Sequence, residues 1–284
     1  MIKNSELVLN EDKSIYHLKL KTEQIADLIY VVGDQNRVQE VSKHFDSIEF
    51  QVSNREFKTH TGYIGSKRVS VISSGIGTDN IDIVLNELDA LANIDLESRT
   101  IKKKHKKLNI IRIGTSGSIQ KNIKIDSLIA SSHGLGLDNL LHFYSENHLN
   151  NDINHHLSDY LDWPKELSNP YIYEANQQLL SKFDSINKGI TVTAPGFYGP
   201  QGREIRLPLK IKNIHQLLAN YKYHGFSVCN FEMETAAIYG LGKLLGHNCL
   251  TVCGILANRQ TKEYSKNPKK TIEKLIKTVI ENTV

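Results

Sequence analysis

Three times in its first half the chain passes from a short, nearly unbroken apolar run straight into a glycine-bearing stretch. Leu28-Ile-Tyr-Val-Val32 leads into Gly33 and then a helical-looking stretch over residues 38–44. Residues 69–72 lead into Ser73-Ser-Gly-Ile-Gly77 and a helical pattern over 81–91, and residues 108–111 lead into Arg112-Ile-Gly-Thr-Ser-Gly117. Apolar runs this short and this continuous suit strands buried on both faces, and such strands belong to parallel sheets covered by helices. The pattern therefore predicts an α/β domain with a mostly parallel sheet. Further strands are expected over 127–130, 189–194 and 250–255, and a C-terminal helix over 271–282. No internal repeat or flexible linker interrupts the 284 residues, so one domain spanning 1–284 is expected. The polar stretch near 142–170 is read as a surface excursion or short helices.

Composition narrows the function by exclusion. A net charge of +4 is too modest for a dedicated nucleic-acid binder, and the one dense basic run, Lys102-Lys-Lys-His-Lys-Lys107, has no interleaved aromatics. No apolar run is long enough to span a bilayer and no basic-then-apolar leader follows Met1, so a cytoplasmic protein without membrane contact is expected. Cys229, Cys249 and Cys253 form no CxxC pair and sit in apolar surroundings, which reads as buried free thiols. His142, His148, His155 and His156 do not match a zinc spacing, so no metal site is assigned to them.

What remains points to anion chemistry on a sugar. Phe231-Glu-Met-Glu-Thr-Ala-Ala237 places two carboxylates at the head of an otherwise apolar helical run. Either Glu232 and Glu234 sit at a surfaced helix N-terminus or one of them lines a polar pocket, because an unpartnered buried charge costs several kcal/mol. Arginines follow the strand-like runs in Gly33-Asp-Gln-Asn-Arg37 and at Arg112, with Arg55 a third candidate in Ser53-Asn-Arg-Glu-Phe57. Turn amides and helix N-termini at the carboxyl ends of such strands attract oxyanions, although glycines serve tight turns equally well and each arginine could equally form a surface ion pair. Neither GxxxxGK[ST] nor a GxGxxG with its distant acid occurs, so inorganic phosphate held by arginine forks is favoured over a nucleotide cofactor. Pro195-Gly-Phe-Tyr-Gly-Pro-Gln-Gly-Arg203 offers Gln201 and Arg203 to a heterocycle with carbonyls and a ring N–H, and Phe197 or Tyr198 to stack on it. A surface loop capping the core is the plain alternative.

Taken together and in this order, these motifs, with Tyr16-His-Leu and Ser74-Gly-Ile-Gly77, resemble the nucleoside phosphorylases, and within them the uridine phosphorylase branch. The likeness runs from about His17 to Arg259. It implies a single-domain three-layer α/β/α sandwich with a central mixed sheet. It also implies phosphorolysis of a nucleoside, uridine first and deoxyuridine or thymidine as variants, to free base and pentose 1-phosphate in nucleoside salvage. By position, Gly33, Arg37, Arg112 and Thr115 would hold phosphate, with Arg55 reaching in from a neighbouring subunit. Met233 and Glu234 would hold ribose, with His17 contacting it across the subunit boundary. Phe197, Gln201 and Arg203 would hold uracil, and Asn258 and Arg259 lie in a loop near the base.

Arg112, Glu234, Gln201 and Arg203 would carry the chemistry. The resemblance implies a homodimer or a hexamer built as a trimer of dimers, and no metal or organic cofactor. In some relatives the positions of Glu56, Ile76 and Asn80 hold a monovalent cation. The chain departs from the pattern at Gln35, where relatives carry proline, and at Thr78-Asp-Asn80, where they carry Gly-Pro-Ser. Within the same fold a purine nucleoside phosphorylase or a nucleosidase is the alternative enzyme, and a non-catalytic nucleoside-binding protein the alternative of another class.

Overall fold

A computed structural model describes residues 1–145 and 151–284. In chain order its elements begin with strand β1 (Leu28–Val32), helix α1 (Gln35–Ser42), strands β2 (Ser47–Asn54), β3 (Phe57–Ile64) and β4 (Lys67–Ser73), and helix α2 (Thr78–Asn93). The short strands β5 (Ile94–Asp95) and β6 (Thr100–Ile101) follow, then β7 (Asn109–Ser118), β8 (Leu128–Gly136), α3 (Asn151–Leu161) and β9 (Tyr171–Glu174). The remainder comprises α4 (Gln177–Leu180), β10 (Asn187–Thr193), α5 (Ile214–Asn220), β11 (Lys222–Tyr223), β12 (Phe226–Glu232), α6 (Thr235–Leu245), β13 (Asn248–Asn258), β14 (Glu263–Tyr264) and α7 (Pro268–Thr283).

The main sheet runs β11-β12-β10-β8-β13-β7-β1-β4-β3-β2, with β9 on β8 and β14 on β13. Strand β1 lies parallel to both β4 and β7, and all five of its residues are buried, as its unbroken apolar run demands. Strands β8, β10 and β12 are parallel to one another, but β8 meets β13 antiparallel, so the sheet is mixed. Near its end β12 also pairs with β7, through Phe231↔Gly117 and Asn230↔Ser118. Strands β7, β13, β8, β10 and β12 thereby close into a ring. Because β7 and β12 run in opposite directions and meet near their last residues, their carboxyl ends arrive at one place.

Helices cover both faces. Gly254 of β13 approaches Thr271 and Leu275 of α7, whereas Cys249 of the same strand fills the space beside Gly242 of α6. Residues five apart on a strand point to opposite faces, so α6 and α7 flank the sheet in three layers. Helix α6 sits very close to β8: a Cβ at Gly134 would lie 2.7 Å from the Cα of Ala236. That glycine lets the helix's first turn approach the sheet.

The expected strands and helices are present, most of them longer by a few residues, although α1 ends at Ser42 rather than at 44. One of these expectations changes. The stretch Arg112 to Gly117 is not a turn; it continues β7 to Ser118. Arg55, which the sequence assigned to no element, lies at the β2–β3 hairpin, with φ of 53°. The polar excursion contains one helix, α3. His148 lies outside the described residues, as does the side chain of His155. Among the described residues no cluster of three His, Cys, Asp or Glu side chains is arranged for a metal, and no helix is long and apolar enough to cross a membrane.

Candidate active site

The site is built around a buried charge. Arg112 stands on β7 with only 5 % of its surface exposed. Its Nη1 lies 3.2 Å from Oε2 of Glu232, and its Nη2 is ion-paired with Oε2 of Glu234. The side chain lies forward over Gly114, where a Cβ would come within 1.8 Å of Nη1. The glycine of Arg-Ile-Gly-Thr therefore serves a close approach inside a strand.

The two carboxylates do different work. Glu232 ends β12 and accepts the hydroxyl of Thr193 at 2.7 Å and the backbone N–H groups of Glu234 and Thr235 at 3.0 Å. It thus satisfies amides at the start of α6, where the helix dipole also favours a negative charge. Glu234 accepts the N–H of Gly77 at 2.9 Å through Oε1. Gly77, at φ of 99°, precedes α2, so this glycine-turn amide is directed at a carboxylate of the protein rather than at an incoming anion. Neither glutamate is surfaced, which settles the two readings of the segment in favour of the pocket.

Charge is unevenly shared among these groups. Burial opposes the Arg112 charge, but Glu234 and Glu232 outweigh it and push its pKa up. Burial, with Glu232 adding to it, raises Glu234 above the usual carboxylate range against the pull of Arg112 and the Gly77 amide. Arg37 is lowered by burial and by the like charge of Arg112, and its buried Nε has no hydrogen-bond partner. Two guanidinium groups, one with an unused buried donor, are a place for an oxyanion.

A cavity of about 380 Å³ brings most of the expected residues together. Gly33, Arg37, Arg112 and Thr115 line it, as do Met233 and Glu234, and on the remaining wall Phe197, Gln201 and Arg203. Asp34, Ile76 and Glu232 also line it, and Ser116, Gly117, Phe231, Leu256, Ala257 and Tyr264, which were not anticipated there, complete the lining. Leu256 and Ala257 had no role of their own in the sequence; their position just before Asn258-Arg259 was the only hint.

The loop after β10 is held by its own contacts. Gln201 is 2 % exposed, and Gly202 at φ of 68° turns the chain after it. Arg203 donates to the carbonyl of Phe197 at 2.6 Å and to Oε1 of Gln201, with its guanidinium 3.9 Å from the Phe197 ring centre. Burial, and then Arg259, lower the Arg203 pKa to about 10. Arg259 was expected to face the base. Instead it donates to the carbonyls of Gln201 and Gly202, the latter at 3.0 Å, and does not line the cavity. Asn258 likewise donates to the carbonyls of Gln120 and Ile123.

His17 and Arg55 stand together outside the cavity of their own chain. His17 Nδ1 is 2.7 Å from Glu87 and its carbonyl accepts from Asn54. Arg55 reaches the Tyr16 hydroxyl at 3.4 Å, and its carbonyl accepts from Gln35 at 2.6 Å. The glutamine found where relatives carry proline thus ties α1 to the Arg55 hairpin. Glu56, Ile76 and Asn80 border a neighbouring hollow, but the Asn80 amide donates to the Ile76 carbonyl at 3.2 Å. All three cysteines are free and buried; burial pushes Cys229 up to about 11 and Cys249 and Cys253 up to about 12.

Comparison with known proteins places this geometry. Residues 27–281 match the family model of the phosphorylase superfamily. The uridine phosphorylase of Haemophilus influenzae is 27 % identical over 270 residues, 94 % of this chain and 96 % of its own. A DeoD-type purine nucleoside phosphorylase of Clostridium perfringens is 27 % identical over 84 % of this chain and 85 % of its own. Among solved structures, a Trypanosoma brucei nucleoside phosphorylase described as showing uridine phosphorylase activity superposes with a TM-score of 0.86. That protein is 28 % identical, with 97 % of this chain and 98 % of that one covered.

Two substitutions separate geometry from charge. Gly114→Ala should keep the fold by circular dichroism while displacing Arg112, lowering turnover by about a hundredfold or more; turnover near the parent's would show that Arg112 need not lie over residue 114. For Glu234 the folded-state pKa is raised above the unfolded one. Its ionised form therefore costs stability, and the cost is absent below the unfolded pKa and grows as pH rises through the folded pKa. Glu234→Gln removes that cost and leaves Arg112 its Glu232 partner. The melting temperature at neutral pH should hold or rise while turnover collapses; a fall of several degrees would mean that Glu234 is chiefly a structural partner.

Proposed function

The chain belongs to the phosphorylase superfamily, and on that premise we propose that it cleaves uridine with inorganic phosphate, releasing uracil and ribose 1-phosphate. It is a pentosyltransferase of nucleoside phosphorolysis; uridine as the nucleoside is our reading. The observation that carries it is that one cavity is lined both by Arg37 with Arg112 and by the joined Gln201–Arg203 pair.

In this reading phosphate lies between Arg37 and Arg112, near Gly33 and Thr115, and occupies the unused Nε of Arg37. Its negative charge competes with Glu234 for Arg112, which turns the Glu234 carboxylate toward the ribose hydroxyls beside Met233. The bond from the anomeric carbon to the base nitrogen breaks, with its electron pair leaving on uracil. A phosphate oxygen forms the new bond to the same carbon. The sugar passes through an oxocarbenium-like state, which the phosphate beneath it stabilises. Arg203 and the Gln201 amide face the charge growing on uracil, and a donor already in place costs no reorganisation at that moment. Holding both reactants removes much of the entropic barrier. No step calls for a metal or an organic cofactor.

We also propose that the Tyr16–His17–Arg55 face completes the cavity of a second copy, His17 toward the sugar and Arg55 toward phosphate, in a dimer or a trimer of dimers. Mixing inactive Arg55→Ala and Glu234→Ala proteins under subunit exchange should restore part of the activity. Proven exchange with no recovery would overturn the shared site.

The test of the reaction is base release from uridine and from inosine, each with and without phosphate. Uracil release that requires phosphate is the expected result. Release from inosine alone would keep the mechanism and reverse the base assignment, phosphate-independent release would mean hydrolysis, and no release from either would mean a binding protein.

A further inference from the structure

A second cavity, of about 650 Å³, adjoins the candidate site and shares Arg203 with it. One wall comes from the polar excursion, through Trp163 and Leu167, and another from the segment after the Gln201 loop, through Ile205 and Leu207. These last two are 75 % and 72 % exposed, an unusual cost for branched apolar residues that substrate binding in the first cavity does nothing to offset. The charged residues on the lining are Arg203, Arg206 and Lys210, with no carboxylate among them. Lys210 is paired with Glu166 at 2.9 Å, and Arg206 is exposed on the lining without a partner among the described residues. The volume falls in the range of small-molecule sites, roughly 300–1,000 Å³, in which apolar walls give affinity and a few polar groups fix orientation.

We propose that this cavity is a second binding site, for a small amphipathic monoanion such as an aliphatic or aromatic carboxylate. Its apolar body lies among Trp163, Leu167 and Leu207, and its carboxylate faces Arg206 and Arg203. Arg203 is already bonded to Gln201 and to the Phe197 carbonyl on the base side. An anion drawing on the same guanidinium competes for it, so occupancy of the second cavity weakens nucleoside binding. This coupling rests on the base-site reading; the binding itself does not.

Trp163 is the only tryptophan in the chain, so its emission reports this cavity directly. Decanoate should change Trp163 fluorescence saturably, and decanol should bind more weakly than decanoate. Arg206→Ala should weaken decanoate roughly twofold to fivefold, as suits a solvent-exposed charge. Leu207→Asp should abolish the change, and both variants should keep their turnover when decanoate is absent. With uridine or whichever nucleoside proves to be cleaved, decanoate should raise KM and leave kcat unchanged. The site is overturned by the absence of a saturable change, by a change that survives Leu207→Asp, or by decanol binding as tightly as decanoate. An unchanged KM with decanoate bound overturns the coupling. The fluorescence arm needs no substrate, so it decides the site even if uridine is not cleaved.

Discussion

A guanidinium that is almost wholly withdrawn from water has to be balanced, and the placing of Arg112 organises everything around it. Left alone, such a charge would cost several kcal/mol. Here the closure of β12 onto β7 brings Glu232 and Glu234 to it from a strand running the other way. Glu232 is further tied to the first amides of α6 and to Thr193, so it is a fixed counter-charge. Glu234 has fewer restraints: Arg112, the Gly77 amide, and the repulsion of its neighbour. An incoming anion that takes over Arg112 therefore releases Glu234 and leaves Glu232 where it is. On the proposed reading, phosphate and sugar sites are coupled through one exchangeable ion pair.

The Gln201–Arg203 wall, the base side on the proposed reading, follows a different physical rule. Gln201, Arg203 and the Phe197 carbonyl are bonded to one another, and Arg259 clamps the loop through the carbonyls of Gln201 and Gly202. The donors are positioned before any ligand arrives, which is the condition for electrostatic stabilisation of a leaving group. The same compactness makes Arg203 a shared element between two cavities, so on the proposed reading the loop's rigidity and its sensitivity to a neighbouring anion have one origin.

Much of this was legible in the sequence, and the rest was hidden for definable reasons. The double-sided burial of β1 follows from five apolar residues in a row, and α6 from an apolar run behind two acids. Arg37, Arg112, Glu234, Gln201 and Arg203 stood out because charged or amide groups interrupt strand and turn patterns, and the structure gathers them in one cavity. A glycine that permits a turn and a glycine that clears space for an arginine look alike in a sequence. Hence the stretch from Arg112 to Gly117 was expected as a turn and is a strand. The Gly77 amide and the Arg259 guanidinium each found partners far along the chain, a fact that spacing does not carry. The exposed alternation of β2 gave no apolar run to read, so the hairpin presenting Arg55 was not foreseen. His17 and Arg55 lie outside their own chain's cavity; the expectation that they act across a subunit boundary came from the resemblance, because the spacing of residues in one chain does not carry what a second copy would supply.

The most direct measurement is a crystal structure of the protein with inorganic phosphate alone. The exchange described above predicts phosphate bonded to the Arg37 Nε and to Arg112, with the Arg112–Glu234 pair opened and Arg112–Glu232 retained. Phosphate bound elsewhere, or bound there with the Arg112–Glu234 pair intact, would contradict it.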